Sequence, residues 1–324
     1  MIFRPEAFPR ESFMSCAHEL FSIQSDQVKP FHEWLKNLDF KGGFDQTRIP
    51  FLPIQLFKSS DVYDFHEPPE AIFTSSRTTG NTPSRHWIAR LQWYESILCA
   101  TFENFFSDVR DYAFLFLLPG YFQRPDASLV YMAQTLHKKS ERKHEAFFND
   151  DFKSLNKTLE KLCQSDIRVV LLGVTYALLD FSKKTSADYD NLIIIETGGM
   201  KRMGPEISKP ELFEKLNQAF PQAELFSEYG MTELHSQAYC KSGEPFTCPP
   251  WMRVLVRDPD DPFAPAHQEG KGVLQIIDLA NIHSCAFIST EDLGTVYSDG
   301  RFEVHGRLDD AEIRGCQLLY ERKN

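Results

Sequence analysis

The sequence predicts an α/β layered fold followed by a small β-rich part. Three observations lead there. Apolar runs at residues 113–118, 167–173 and 191–197 have the length and composition of strands buried on both faces. Stretches of helical periodicity separate them, which favours a largely parallel sheet. From Trp251 onward the texture changes to short strands divided by turns.

Each element follows in order. The first forty residues read as helices, with Phe31, Trp34, Leu35 and Leu38 at helical spacing and Gly42-Gly43 stopping the run. Pro50 and Pro53 make residues 49–58 an extended strap. Residues 71–74 form a strand leading into a Ser/Thr loop, and residues 87–106 a long amphipathic helix. Strands at 113–118, 167–173 and 191–197 then alternate with helices at 127–138, 152–163 and 209–220, the last capped by Ser208. Strands are expected at 253–256, 272–278, 285–289, 294–297 and 301–305, with an acidic, proline-containing loop at 259–270. The expected division is a large domain, 1–305, whose β-rich part is 251–305, and a short tail, 306–324.

Composition narrows the function. The 324 residues suffice for a substantial core. A net charge of −11 disfavours nucleic acid as a main partner and an anionic membrane surface alike, while leaving room for a local phosphate site. No signal-peptide core opens the chain, and the most apolar run is too short to span a bilayer, so no membrane insertion is expected. Seven scattered cysteines argue for reduced thiols and a cytoplasmic setting. The 28 phenylalanines fit a Phe-rich core, or in part a pocket for an apolar substrate.

Four segments carry chemistry. The loop Thr74-Ser75-Ser76-Arg77-Thr78-Thr79-Gly80 can wrap phosphates with hydroxyls and backbone N–H groups, or be an ordinary polar turn. It lacks the spacing and lysine of a P-loop. Gly198-Gly199 closes an apolar strand, either as a simple turn or as bare backbone against a flat ligand at the strand's carboxyl end. In Ser227-Glu228-Tyr229-Gly230-Met231-Thr232-Glu233 an aromatic, a hydroxyl and a carboxylate suit adenine, phosphate and Mg²⁺ respectively. Asp292, expected in a turn between two strands, and Arg307 in Gly306-Arg307-Leu308-Asp309 suit ribose hydroxyls. Cys240 and Cys248, with His235 nearby, are a weaker zinc candidate, because seven residues between the cysteines do not match compact structural sites.

In this order the segments resemble the acyl-adenylate-forming superfamily, which includes acyl- and aryl-CoA ligases and firefly-type luciferases. Within it the chain is most similar to the acyl-protein synthetase of the bacterial luminescence fatty-acid reductase type. Residues 49–53, 73–76, 128–132, 196–199, 228–234 and Ile313-Arg314-Gly315-Cys316 carry that closer match. The resemblance implies the layered large domain of the adenylate-forming type, with the C-terminal lysine domain absent or vestigial. It implies ATP and Mg²⁺ as cofactors and a small carboxylic acid, fatty or aromatic, as substrate. Thr74, Ser75, Ser76, Thr78, Thr79 and Gly80 would contact phosphates, Gly198, Gly199 and Tyr229 adenine, and Asp292 and Arg307 ribose. Thr232 and Glu233 would act at the phosphate, with Glu233 also at the metal. Cys316, eight residues from the last position, would take the acyl group as a thioester and pass it to a partner protein or acyl carrier.

The sequence departs from the superfamily pattern in places. Arg77 stands where glycine is usual, Arg85 is the nearest substitute for the loop's lysine, and Lys323 is the only lysine after Asp309. Two further readings accompany the first: a ligase that uses coenzyme A as acceptor, and a non-catalytic nucleotide-binding scaffold.

Overall fold

The structure, a computed structural model, describes residues 5, 8, 12–75, 82–121, 123–198 and 207–308. Packing divides the chain into two compact units. The first comprises Met1–Leu91, Glu233–Ser236 and Thr247–Asn324, and the second Gln92–Thr232 and Gln237–Phe246.

The first unit begins with helices α1 (Phe13–Gln27) and α2 (Lys29–Asn37). α1 buries Phe13, Ala17, Leu20, Phe21 and Gln24, the stripe its helical period dictates. Gln24 is buried because its amide is fully used: Nε2 donates to the Asn281 carbonyl at 2.6 Å and Oε1 accepts from the Ala286 amide at 2.9 Å. The strap is extended where Pro50 and Pro53 require it, holding strand β1 (Leu52–Pro53), and then closes into one turn of helix, α3 (Leu56–Ser59). β2 (Ala71–Thr74) and β3 (Arg85–Ile88) form an antiparallel pair. Here the expected helix over 87–106 is corrected. Trp87 and Ile88 belong to β3, and helix α4 runs Leu91–Phe105.

The second unit is built on a six-stranded sheet. Its elements after α4 are β4 (Tyr112–Leu117), α5 (Ser128–Lys139), β5 (Phe147–Phe148), α6 (Phe152–Cys163), β6 (Arg168–Val174), α7 (Thr175–Ser182), β7 (Leu192–Thr197), α8 (Lys209–Ala219), β8 (Glu224–Tyr229) and β9 (Ala238–Lys241). Strand order is β5-β4-β6-β7-β8-β9, parallel throughout except for the antiparallel β8–β9 pair. All residues of β4 and β7 are buried, which explains their unbroken apolar runs. Asp151 and Ser208 cap α6 and α8 by accepting from backbone amides one turn on.

The β-rich part returns to the first unit as β10 (Met252–Arg257), β11 (Gly270–Asp278), β12 (Phe287–Val296) and β13 (Phe302–Arg307). β10, β11 and β12 are antiparallel neighbours, and the other edge of β12 is shared lengthwise by β1 and β13. The expected turn around Asp292 is corrected: residues 289–294 continue one strand, with a register shift between Leu293 and Gly294. Phe287 packs against Phe21 and Phe31, with ring centroids 5.5 and 6.0 Å apart, so part of the phenylalanine content is core. Among the described residues no helix is long and apolar enough to cross a membrane.

Candidate functional site

In the second unit, polar side chains gather at the carboxyl ends of β7 and β8, where open α/β sheets place ligands. Both strands are apolar until their last residues. Glu196, only 1% exposed, accepts from the Thr175 hydroxyl at 2.5 Å and the Ser227 hydroxyl at 2.7 Å, and pairs with Lys209 from the first turn of α8. Lys209 Nζ also donates to Ser227 Oγ at 3.1 Å. Next to this group Thr197 donates to the buried carboxylate of Glu228. Burial pushes Glu228 up to about 7, opposed by the Thr197 hydroxyl, reinforced by the negative charge of Glu196 and opposed again by Lys209.

Gly198 follows directly. Its φ of 72° lies in the left-handed region, and a Cβ there would meet nothing within 4 Å, so the backbone faces open space. Tyr229 ends β8 half-buried, its ring 5.9 Å from that of Phe246. Gly230 is required for another reason: a Cβ would collide with the Glu228 carboxylate. Thr232 is half-buried at the end of this unit's main segment.

The first unit holds the remaining candidates. Thr74 ends β2, and Ser75 bonds to Ser84 twice, N–H to carbonyl at 3.1 Å and Oγ from the Ser84 amide at 2.9 Å. Those bonds fix both ends of the Ser/Thr loop. Ser76, Arg77, Thr78, Thr79 and Gly80 lie outside the described residues, as do Gly199 and Cys316. Arg85 pairs with Asp61 at 2.7 Å.

Glu233 is 5% exposed, and burial raises its carboxyl against the opposing influence of Ser84, Lys58 and Arg307. Its segment is clamped by Asp278, which is fully buried. One oxygen of Asp278 accepts the His235 and Ser236 amides at 3.0 Å each, and the other accepts the Ser236 hydroxyl at 2.7 Å. Asn281 donates to the Glu233 carbonyl at 2.8 Å and meets His235 Nδ1 at 2.5 Å. Burial, with His86 nearby, pushes His235 well down, so this imidazole is neutral.

Asp292 and Arg307 face each other across the β12–β13 pair, with Arg307 Nε 3.7 Å from Asp292 Oδ1. The tighter partner of Arg307 is Glu291 at 2.6 Å, which Gln55 also holds at 2.7 Å.

Sequence reasoning assigned no role to Glu196, Thr197, Lys209, Glu291 or Asp278. The available signal was a polar residue ending an otherwise apolar parallel strand, as at Glu196-Thr197. Among the described residues no group of three His, Cys, Asp or Glu side chains is placed to hold a metal ion. Cys240 belongs to the second unit, and Cys248 and His235 to the first. Glu233, a buried carboxylate beside a hydroxyl-bearing residue, has the hard-oxygen chemistry that Mg²⁺ takes when phosphates complete its shell.

No protein-family model matches the chain, and no curated protein matches it. Solved structures do. ATP-bound MatB from Rhodopseudomonas palustris is 16% identical, with a TM-score of 0.52 over 76% of this chain and 49% of that one. The luciferase-like enzyme from the nonluminescent mealworm Zophobas morio is 18% identical, with a TM-score of 0.50 over 76% and 59%. MenE, the O-succinylbenzoate coenzyme A synthetase of Bacillus subtilis in complex with AMP, is 14% identical, with a TM-score of 0.50 over 74% and 62%. This chain therefore spans about half to three-fifths of the length of these structures. The likeness is one of fold, and it is the layered α/β fold of the adenylate-forming type.

Proposed function

We propose that the protein activates a carboxylic acid with ATP as an acyl-adenylate and transfers the acyl group to a thiol. The observation that carries this reading is the polar cluster at the carboxyl ends of β7 and β8, with Gly198 and Tyr229 beside it, in a fold shared with ATP-bound and AMP-bound structures.

In this reading a carboxylate oxygen attacks the α-phosphorus of ATP. The bond to the β-phosphate oxygen breaks, and pyrophosphate leaves with its electron pair. Thr74, Ser75, Ser76, Thr78, Thr79 and Gly80 bind the phosphates, Gly198, Gly199 and Tyr229 the adenine, and Asp292 and Arg307 the ribose. Thr232 and Glu233 hold Mg²⁺ with the phosphate oxygens, and the ion supplies counter-charge there. A thiolate then attacks the acyl carbon, a C–S bond forms, and AMP departs with the electrons of the broken C–O bond.

Cys316 is the proposed acceptor, in the manner of an acyl-protein synthetase, with the acyl group passing onward to a partner protein or carrier. The other cysteines support this assignment. Burial pushes Cys99 and Cys240 up to about 11 and Cys163 and Cys285 up to about 12, and it raises Cys16 and Cys248 as well. None of these six is an activated nucleophile.

Exchange of labelled pyrophosphate into ATP, across a panel of fatty and aromatic acids, tests the first step. No exchange with any acid sinks it and favours a nucleotide-binding scaffold. Label from the active acid remaining on denatured protein, and lost in Cys316→Ser, tests the second. Because MenE is a coenzyme A synthetase, coenzyme A is the alternative acceptor. Acyl-CoA formed by Cys316→Ser as fast as by the wild type would select it.

A further inference from the structure

The first unit encloses a cavity of about 580 Å³, bounded by α2, the strap, the 259–270 loop and the β-sheet. That is the size of pockets that take small organic ligands, roughly 300–1,000 Å³. Its wall is largely apolar, with Trp34, Phe40 and Phe51 prominent, and Phe263 in the same lining is 66% exposed.

Two polar side chains in this wall lack partners. Arg257 donates through Nη1 to the Asp261 carbonyl at 2.8 Å and through Nη2 to Ser289 Oγ at 3.4 Å. Its Nε has no hydrogen-bond partner, and the guanidinium makes no ion pair among the described residues. Gln275 is 1% exposed. Its Nε2 donates to the Val273 carbonyl at 3.2 Å, while its Oε1 accepts nothing. A buried acceptor left unpaired costs about 1–3 kcal/mol, and a cation facing an apolar cavity without a counter-ion is also unfavourable. Both deficits are removed by one ligand that brings an anion to Arg257 and a hydrogen-bond donor to Gln275. Glu291 in the lining, with Asp258 and Asp261 near Arg257, weighs against a doubly charged head such as a phosphate.

We propose that this cavity binds an apolar monocarboxylic acid bearing a hydroxyl or amide N–H close to its carboxylate. The carboxylate pairs with Arg257, the donor reaches Gln275 Oε1, and the chain lies against Trp34, Phe40 and Phe51. The site belongs to the first unit alone and needs neither nucleotide nor Cys316, so it stands apart from the adenylation reading. It also touches that reading's machinery, because Glu291 lines the cavity and holds Arg307.

Calorimetric titration of the full chain without nucleotide, with β-hydroxydecanoate, decanoate and decanol, tests the proposal. The hydroxy acid should bind saturably and more tightly than decanoate, and decanol should not saturate. Arg257→Met should weaken the hydroxy acid about tenfold or more, the value of a charge-assisted hydrogen bond. Phe263→Asp, at an exposed position that folding does not depend on, should weaken it too. Absence of saturable binding by the wild type overturns the proposal, as does unchanged affinity in both variants or an alcohol that binds as well as the acids. Equal affinity for the two acids overturns the role of Gln275. Pyrophosphate exchange, measured separately, is unaffected by a failed titration here.

Discussion

At the scale of single residues, the second unit separates two buried acids by their surroundings. Glu196 is paired with Lys209 and two hydroxyls, whereas Glu228 has one hydroxyl and a burial penalty. The folded form raises Glu228 from 4.5 to about 7, so the native state binds its proton more tightly than the unfolded chain does. Stability is then unpenalised below the unfolded value and falls as pH rises from there through the folded value. Glu228→Gln keeps an acceptor for Thr197 and removes the charge. In denaturant titrations it should match the wild type at about pH 5 and exceed it by roughly 1–3 kcal/mol at about pH 8. A constant difference across that range would exclude the burial account. Lys209→Met does the opposite. It leaves Glu196 buried without its cation and should cost about 2 kcal/mol, below the usual penalty for a broken buried pair because the lysine is itself 45% exposed. Adding Glu196→Gln to Lys209→Met should recover most of that loss, measured in the same titrations.

At the scale of elements, legibility followed how local the cause was. α6 lies where helical periodicity put it, and α8 starts as expected after its Ser208 cap. β6 and β7 were readable because burial on both faces leaves a continuous apolar run. α7 was missed, because Thr175–Ser182 is short and nearly all apolar and has no polar face to reveal a period. β3 was absorbed into α4, since Trp87 and Ile88 extend its apolar pattern. β12 looked like two strands because Glu291-Asp292-Leu293-Gly294 has turn composition, and only its pairing with β11 and β13 makes it one. The candidate site divided likewise. Gly198 and Tyr229 could be read from a short motif, but the Glu196–Lys209 pair exists only once α8 is folded onto the sheet.

The shift between Leu293 and Gly294 is also where Gly272 and Gly294 face each other across β11 and β12. A Cβ on Gly294 would collide with the Glu303 carbonyl and the Leu274 side chain. Gly294→Ala should therefore destabilise by about 1–3 kcal/mol, read from thermal or denaturant unfolding, by forcing β13 away from β12. Because that pairing aligns Arg307 with Asp292 and Glu291, nucleotide affinity should fall as well. Loss of stability without loss of affinity would remove Asp292 and Arg307 from the proposed ribose contact.

At the scale of the whole molecule, the proposed nucleotide residues are distributed over both units. Gly198, Tyr229 and Thr232 belong to one, and Thr74, Ser75, Glu233, Asp292 and Arg307 to the other. The chain passes between the units four times, after Leu91, Thr232, Ser236 and Phe246, and the third and fourth of these passages enclose β9. A ligand that needs residues of both units stabilises only the state in which both are folded. ATP with Mg²⁺ at a hundred times its Kd adds about 2.7 kcal/mol to such a state. For a chain of 324 residues that corresponds to an increase in unfolding temperature of about 4 °C. Tyr229→Ala in the second unit and Arg307→Ala in the first should each reduce the shift while leaving the unliganded unfolding temperature almost unchanged, since both side chains are substantially exposed. If only one of the two substitutions lowers the shift, the nucleotide is held by one unit. The roles given to the residues of the other would then be wrong.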